Sequence, residues 1–241
     1  MRFLVFGGSG PSGIALIRKA LEVYPDSTIY VYVRSPQKIP EDLSGNPSVV
    51  VIHGSLTELD KVETALLGRT VDDDKHPSHE IGSSGSPVDV VLSALGPTGP
   101  FHSFSRPITK FYESLIDLMA KHSIKRLLVL CTPSHPDPND RHSLIMFGIV
   151  STVSTLAYPA YAEFRDVGEM VRKKGKEKGL EWTVVRVPIL TDQDLEGVVA
   201  GYVGDGKTGS VLARKAFAAF CIGEIETKEW VGKAPIISNA A

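Results

Sequence analysis

The chain has 241 residues, 26 Lys and Arg against 28 Asp and Glu, a formal charge of −2 and 42% hydrophobic residues. Such a length and composition predict one domain around one core, and the near-neutral charge without a basic run speaks against nucleic acid or an anionic membrane as partner. Two cysteines, Cys131 and Cys221, are too few for a disulfide framework or a metal cluster, and read as small buried hydrophobes in a reducing cytoplasm.

The chain opens on Arg2 and the apolar Phe3-Leu4-Val5-Phe6, which run at once into glycines. That is too short for a secretory leader and predicts a buried strand in a soluble, cytoplasmic protein. Further strands are expected at Thr28 to Arg34, Val49 to His53, Val88 to Leu95, Arg126 to Cys131 and Trp182 to Pro188. Helical periods fill the gaps at Gly13 to Val23, Glu58 to Leu67, Ile108 to His122 and Phe164 to Lys178. Strands apolar nearly throughout, alternating with amphipathic helices, predict an α/β fold of the Rossmann type, a doubly wound parallel sheet in a single domain. The region 71–87, acidic and then rich in His, Ser, Gly and Pro, reads as an exposed, mobile loop whose His76 and His79 are solvated. The apolar stretch from Leu144 is shorter than a bilayer span; Leu144 to Leu156 reads as core by default, with a substrate lid or a dimer face as the alternatives. Residues 189–241 are expected to form a substrate-side part, with a turn at Gly201 to Gly206 and a helix from Ala213 to about Glu226.

Gly7-Gly8-Ser9-Gly10-Pro11-Ser12-Gly13 lies between the first strand and a helix that starts Ile14-Ala15-Leu16-Ile17. Gly7, Gly10 and Gly13 supply glycine where a turn must be tight, where backbone must approach a pyrophosphate, and where helix meets strand. Pro11, Ser12 and Gly13 then present helix amino-terminal N–H groups to a diphosphate, so the segment predicts a dinucleotide site. About twenty residues past Gly13, where a carboxylate would select NAD, stands Arg34. With Ser35 and Lys38 it predicts a pocket for a 2′-phosphate, hence NADPH. The fourth strand ends Ser93-Ala94-Leu95-Gly96-Pro97, and Ala94, Leu95 and Gly96 are expected to line the cofactor.

With those residues placed, the chain resembles atypical short-chain dehydrogenases/reductases, in the branch of NmrA-like and flavin-reductase-like NAD(P)-binding proteins. The resemblance rests on the glycine turn, Val33-Arg34-Ser35-Pro36, Val88-Asp89-Val90-Val91 with Ser93 to Gly96, Lys125-Arg126-Leu127-Leu128 leading into Thr132-Pro133-Ser134, and Gly179-Leu180-Glu181-Trp182-Thr183-Val184-Val185-Arg186-Val187-Pro188. It implies that Thr132 and Ser134, where relatives keep a hydroxyl beside the nicotinamide, polarise a substrate carbonyl or hold the carboxamide. Two departures stand out. Ser55 occupies a position where relatives often carry aspartate near the adenine, and no tyrosine has the Tyr-x-x-x-Lys partner: Tyr158 is followed at the fourth position by Ala162, and Tyr161 by Arg165. Tyr158 and Tyr161 are then the candidate proton donors, Tyr161 with Arg165 to assist it, and an acceptor that needs no buried acid, such as a quinone, flavin or enone, suits the site. Arg214 begins the last helix without the Asp that often follows it in relatives.

The resulting expectation is an NADPH-dependent oxidoreductase with a small-molecule substrate, and neither nucleic acid nor membrane as partner. The alternatives are a non-catalytic NADP(H)-binding regulator of NmrA type, or an isomerase or dehydratase on the same scaffold.

Overall fold

The computed structural model describes residues 1–70, 86–97, 99 and 102–240. His76, His79 and nearly all of the loop expected at 71–87 lie outside these residues. In chain order the elements are β1 (Arg2–Phe6), α1 (Pro11–Val23), β2 (Thr28–Val33), a 3-10 turn (Pro36–Lys38), α2 (Glu41–Ser44), β3 (Val49–His53), α3 (Leu59–Leu66) and β4 (Val90–Ser93). They continue with α4 (Pro107–Lys121), β5 (Arg126–Cys131), α5 (Leu144–Leu156), α6 (Tyr158–Glu177), β6 (Glu181–Arg186) and β7 (Ile189–Thr191). The chain ends with β8 (Val198–Gly201), β9 (Val211–Ala213), α7 (Arg214–Thr227) and β10 (Ile236–Asn239).

Eight strands form one sheet in the order β3-β2-β1-β4-β5-β6-β10-β8, parallel except for β8, which runs antiparallel to β10. Phe3, Leu4, Val5 and Phe6 are wholly buried because helices cover both faces of the strand they form. On one face Leu16 and Ile17 of α1 meet Phe217 and Ile222 of α7. On the other, Phe111, Leu115 and Met119 of α4 pack with Val171 of α6 and Trp182 of β6. The fold is thus a single Rossmann-type α/β domain, doubly wound as the alternating pattern predicts.

Three differences from the sequence reading stand out. α6 starts at Tyr158 rather than Phe164, because Pro159 sits in its first turn, where a missing N–H and a preset φ cost nothing. The tail adds β8 and β10 to the main sheet and pairs β7 with β9 in a separate two-stranded ribbon. The segment expected as core, α5, is not core: only Met146 is buried, while Leu144, Ile145, Phe147 and Leu156 are exposed. Among the described residues no single helix is long and apolar enough to cross a membrane; α5 and α6 reach that length only together, bent by 118°.

Candidate functional site

Strand order reverses between β1 and β4, and ligands of such sheets lie beyond the carboxyl ends at that reversal. There the glycine turn is built by exclusion. Gly7 has φ +73°, and a Cβ on it would stand 2.7 Å from the Ala94 carbonyl carbon. A Cβ on Gly13 would lie 2.2 Å from the Gly7 carbonyl oxygen, and one on Gly8 2.4 Å from Cγ1 of Val31. Gly10 is different: it has room for a Cβ, and its N–H donates to the Gly7 carbonyl at 3.0 Å. It caps α1 in extended conformation with no side-chain partner for the helix amides, and Pro11 follows in the first turn. The amides of the first turn are therefore left to a ligand. This cradle fits a dinucleotide diphosphate: the fold itself excludes a side chain at Gly7, Gly8 and Gly13, and Gly10, where a Cβ has room, keeps the approach to the helix amides open.

β1 and β2 are in register from Arg2 with Thr28 to Phe6 with Tyr32, so Arg34 emerges level with the glycine turn. Arg34 and Lys38 are exposed, Ser35 half-buried, and neither cation forms an ion pair among the described residues. The turn after β3 closes on Tyr32, whose hydroxyl donates to the Ser55 carbonyl at 2.9 Å. Ser55 itself takes Glu58 Oε2 on its N–H, opening α3. Past β4, Ala94, Leu95 and Gly96 are half-buried, and a Cβ on Gly96 would touch the Phe164 ring at 3.0 Å. α6 thus contributes Phe164 to the wall of the same cleft.

The hydroxyl candidates separate. Ser134 is buried and its N–H donates to Thr132 Oγ1 at 3.3 Å, so this pair shapes the turn after β5. Thr132 and Tyr161 are half-buried, and the Tyr161 ring lies 6.1 Å from that of Tyr158. Arg165 does not donate to Tyr161. It is exposed and turns to Asp166, with Nη2 at 3.2 Å, and that carboxylate, together with the neighbouring phenols, raises its pKa. Asp166 also accepts from Arg106 Nε at 2.7 Å.

Sequence reasoning missed Glu163. It is wholly buried, and its Oε1 accepts from the N–H and hydroxyl of Thr109 at 2.8 and 2.6 Å, which caps the start of α4. Its Oε2 accepts from His102 Nε2 at 2.6 Å. A glutamate next to an aromatic in an otherwise amphipathic helix is the sequence signal, but its partners lie 61 and 54 residues away. The other surprise is Arg186. Wholly buried, it donates through Nη1 and Nη2 to the two oxygens of Asp140 at 2.6 and 2.8 Å, and through Nε to the Ala234 carbonyl. The arginine of the Trp-Thr-Val-Val-Arg run is a structural clamp. His135, also buried, packs on Gly168; burial, followed by the Arg186 charge, lowers its pKa.

A cavity of about 370 Å³ opens between α1 and α7, beside the loop after β7. It adjoins Pro11 but reaches neither Arg34 nor Ala94 to Gly96. Its cations are paired: Lys19 with Glu196 at 2.8 Å, Arg214 with Asp192 at 2.6 Å. Asp192 thus supplies from the loop the carboxylate that does not follow Arg214 in sequence.

No curated protein matches the sequence. Among solved structures, a short-chain dehydrogenase/reductase from Veillonella parvula in complex with NADP is similar over 99% of this chain and 94% of its own, at 14% identity and TM-score 0.71. The oxidoreductase ylbE from Lactococcus lactis is similar over 100% of this chain and 91% of its own, at 16% identity and TM-score 0.70. A candidate NAD-dependent epimerase/dehydratase from Bacillus halodurans is similar over 100% of this chain and 94% of its own, at 18% identity and TM-score 0.69. These likenesses are of fold, and their names span redox and non-redox chemistry. The sequence family described as NAD(P)H-binding matches residues 7–228, which include the glycine turn, Arg34 and the end of β4, and the chain belongs to that family.

Proposed function

We propose that the protein is an NADPH-dependent oxidoreductase that reduces a small organic acceptor, such as a quinone, flavin or enone. The observation that carries the reading is Arg34, an exposed cation without a described ion-pair partner, level with a glycine turn open to a diphosphate. A guanidinium there meets a 2′-phosphate with charge-assisted hydrogen bonds, where NADH would offer only a hydroxyl. The NADP-bound Veillonella parvula relative supports the same choice by analogy of fold. When bound, NADPH supplies a hydride, and the chain's own groups orient the acceptor and exclude water. Ala94, Leu95, Gly96 and Phe164 give that region an apolar wall, suited to a flat, electron-poor ring. Protons come from α6 and the segment before α4: Tyr161, and His102 held by Glu163.

The diversion of Arg165 to Asp166 favours a second reading, a non-catalytic NADP(H) sensor, which needs only the glycine turn and Arg34. Loss of NADPH absorbance against a panel of quinones, flavins, enones and aldehydes, with a binding titration in parallel, separates the two. The reductase reading expects turnover of at least one acceptor. Tight NADPH binding with no acceptor reduced would give the site to the sensor, and acceptor-independent conversion of a substrate without NADPH loss would give it to an isomerase.

A further inference from the structure

α5 carries its apolar residues on the wrong side for a core helix. Its inward residues, Met146, Ile149 and Val150, pack on Val203 and Ile236. Leu144, Ile145, Gly148, Thr152, Thr155 and Leu156 recur at helical spacing on the opposite side, and every one is exposed. Leu144 is 91% exposed, Phe147 73% and Leu156 74%. With Ile145, 69% exposed, they leave the outward side of α5 open and apolar from end to end, a contiguous patch of the kind that marks an interaction surface rather than singly scattered apolar residues.

We infer that α5 is the contact surface for a second copy of this chain. From Ser143 to Ala162 there is no Asp, Glu, Lys or Arg. A helix lying in a bilayer surface keeps a cationic polar face, and a foreign protein is ordinarily selected by complementary charge. This face has neither. An uncharged stripe is self-complementary about a two-fold axis, because residues that meet their own copies there suffer no like-charge repulsion. Gly148 supplies an independent argument. A Cβ on it would meet nothing within 4 Å, so the fold of one chain does not require glycine at this position, where it weakens the helix. A crossing helix does require it: Gly148 and Thr152, four residues apart on the outward side, let two backbones approach closely.

The test is the mass of the full chain by sedimentation equilibrium at micromolar concentration. The expected result is two chains per particle, with Ile145→Glu monomeric yet unchanged in circular dichroism and NADPH affinity. Gly148→Leu should weaken dimerisation about tenfold or more by blocking the close crossing. A wild-type monomer, or an Ile145→Glu dimer of undiminished affinity, overturns the inference. So does a monomer that co-sediments with neutral phosphatidylcholine vesicles, since the face would then belong to a bilayer.

Discussion

Arg186 and Asp140 are joined by two hydrogen bonds of 2.6 and 2.8 Å, and this pair ties the end of β6 to the loop that follows β5. The arginine is fully buried and the aspartate half-buried, and Asp140 also accepts from the N–H groups of Asp137 and Val203. Removing one member of such a pair leaves the other charge without a partner in the interior.

Asp140→Ala is therefore expected to destabilise the fold by about 3–5 kcal/mol, read as a lower denaturant midpoint at unchanged slope. Burial alone would raise the Asp140 pKa; the Arg186 hydrogen bonds and charge, with the backbone N–H donors, outweigh it and lower it. A carboxyl with a depressed folded pKa contributes stability above its ordinary value near 3.8 and loses that contribution as pH falls through the folded value. The stability gap between wild type and Asp140→Ala should accordingly narrow in strong acid. An equal midpoint for the two proteins at neutral pH would contradict the clamp.

His135 titrates in the opposite sense to a paired histidine. Burial first, then the Arg186 charge, lowers its pKa from the ordinary 6.5, so the unfolded chain binds a proton that the native one refuses. Stability from this group is complete above about pH 6.5 and declines as pH falls below it. Thermal unfolding at pH 7.5 and 5.5 should show a smaller loss of Tm on acidification in His135→Phe than in wild type. Identical losses would mean that His135 is solvated.

The glycine turn predicts that two neighbouring substitutions fail for different reasons. Gly13→Ala drives a Cβ against the Gly7 carbonyl and should cost about 1–3 kcal/mol of stability or more, measured by denaturant unfolding. Gly10→Ala has room in the folded chain but places a methyl group where the diphosphate must approach. It should leave the unfolding midpoint nearly unchanged and weaken NADPH binding. A Gly10→Ala protein that binds as tightly as wild type would place the diphosphate elsewhere.

Glu163 holds His102, and the reductase reading makes that imidazole a proton source. His102→Gln should lower kcat by about 100-fold or more with NADPH affinity unchanged. An unaltered kcat would leave Tyr161 as donor and reduce His102 to a support for the start of α4.

Much of this architecture is legible in the sequence because each main strand is a short apolar run between turn residues. β1, β3 and β5 fall at the expected bounds, and α1 and α4 begin within two residues of theirs. The glycine turn is legible because backbone collisions at Gly7 and Gly13 permit no other residue. β7 and β9 are not, since three residues show no period. α5 misleads for a physical reason: apolar residues around most of a helix signify burial, and nothing in a single chain says whether the burying surface belongs to the same molecule. Glu163 is hidden because its burial is justified only by His102 and Thr109, which the folded chain brings to it.

Arg34 carries the choice of cofactor, and the measurement that tests it is a fluorescence titration of wild type and Arg34→Asp with NADPH and with NADH. Charge-assisted hydrogen bonds of about 1.5–3 kcal/mol predict that wild type prefers NADPH by about 10- to 100-fold, and that Arg34→Asp abolishes or inverts the preference while still binding NADH. Equal affinity for the two cofactors in wild type, or a ratio untouched by Arg34→Asp, would contradict the account.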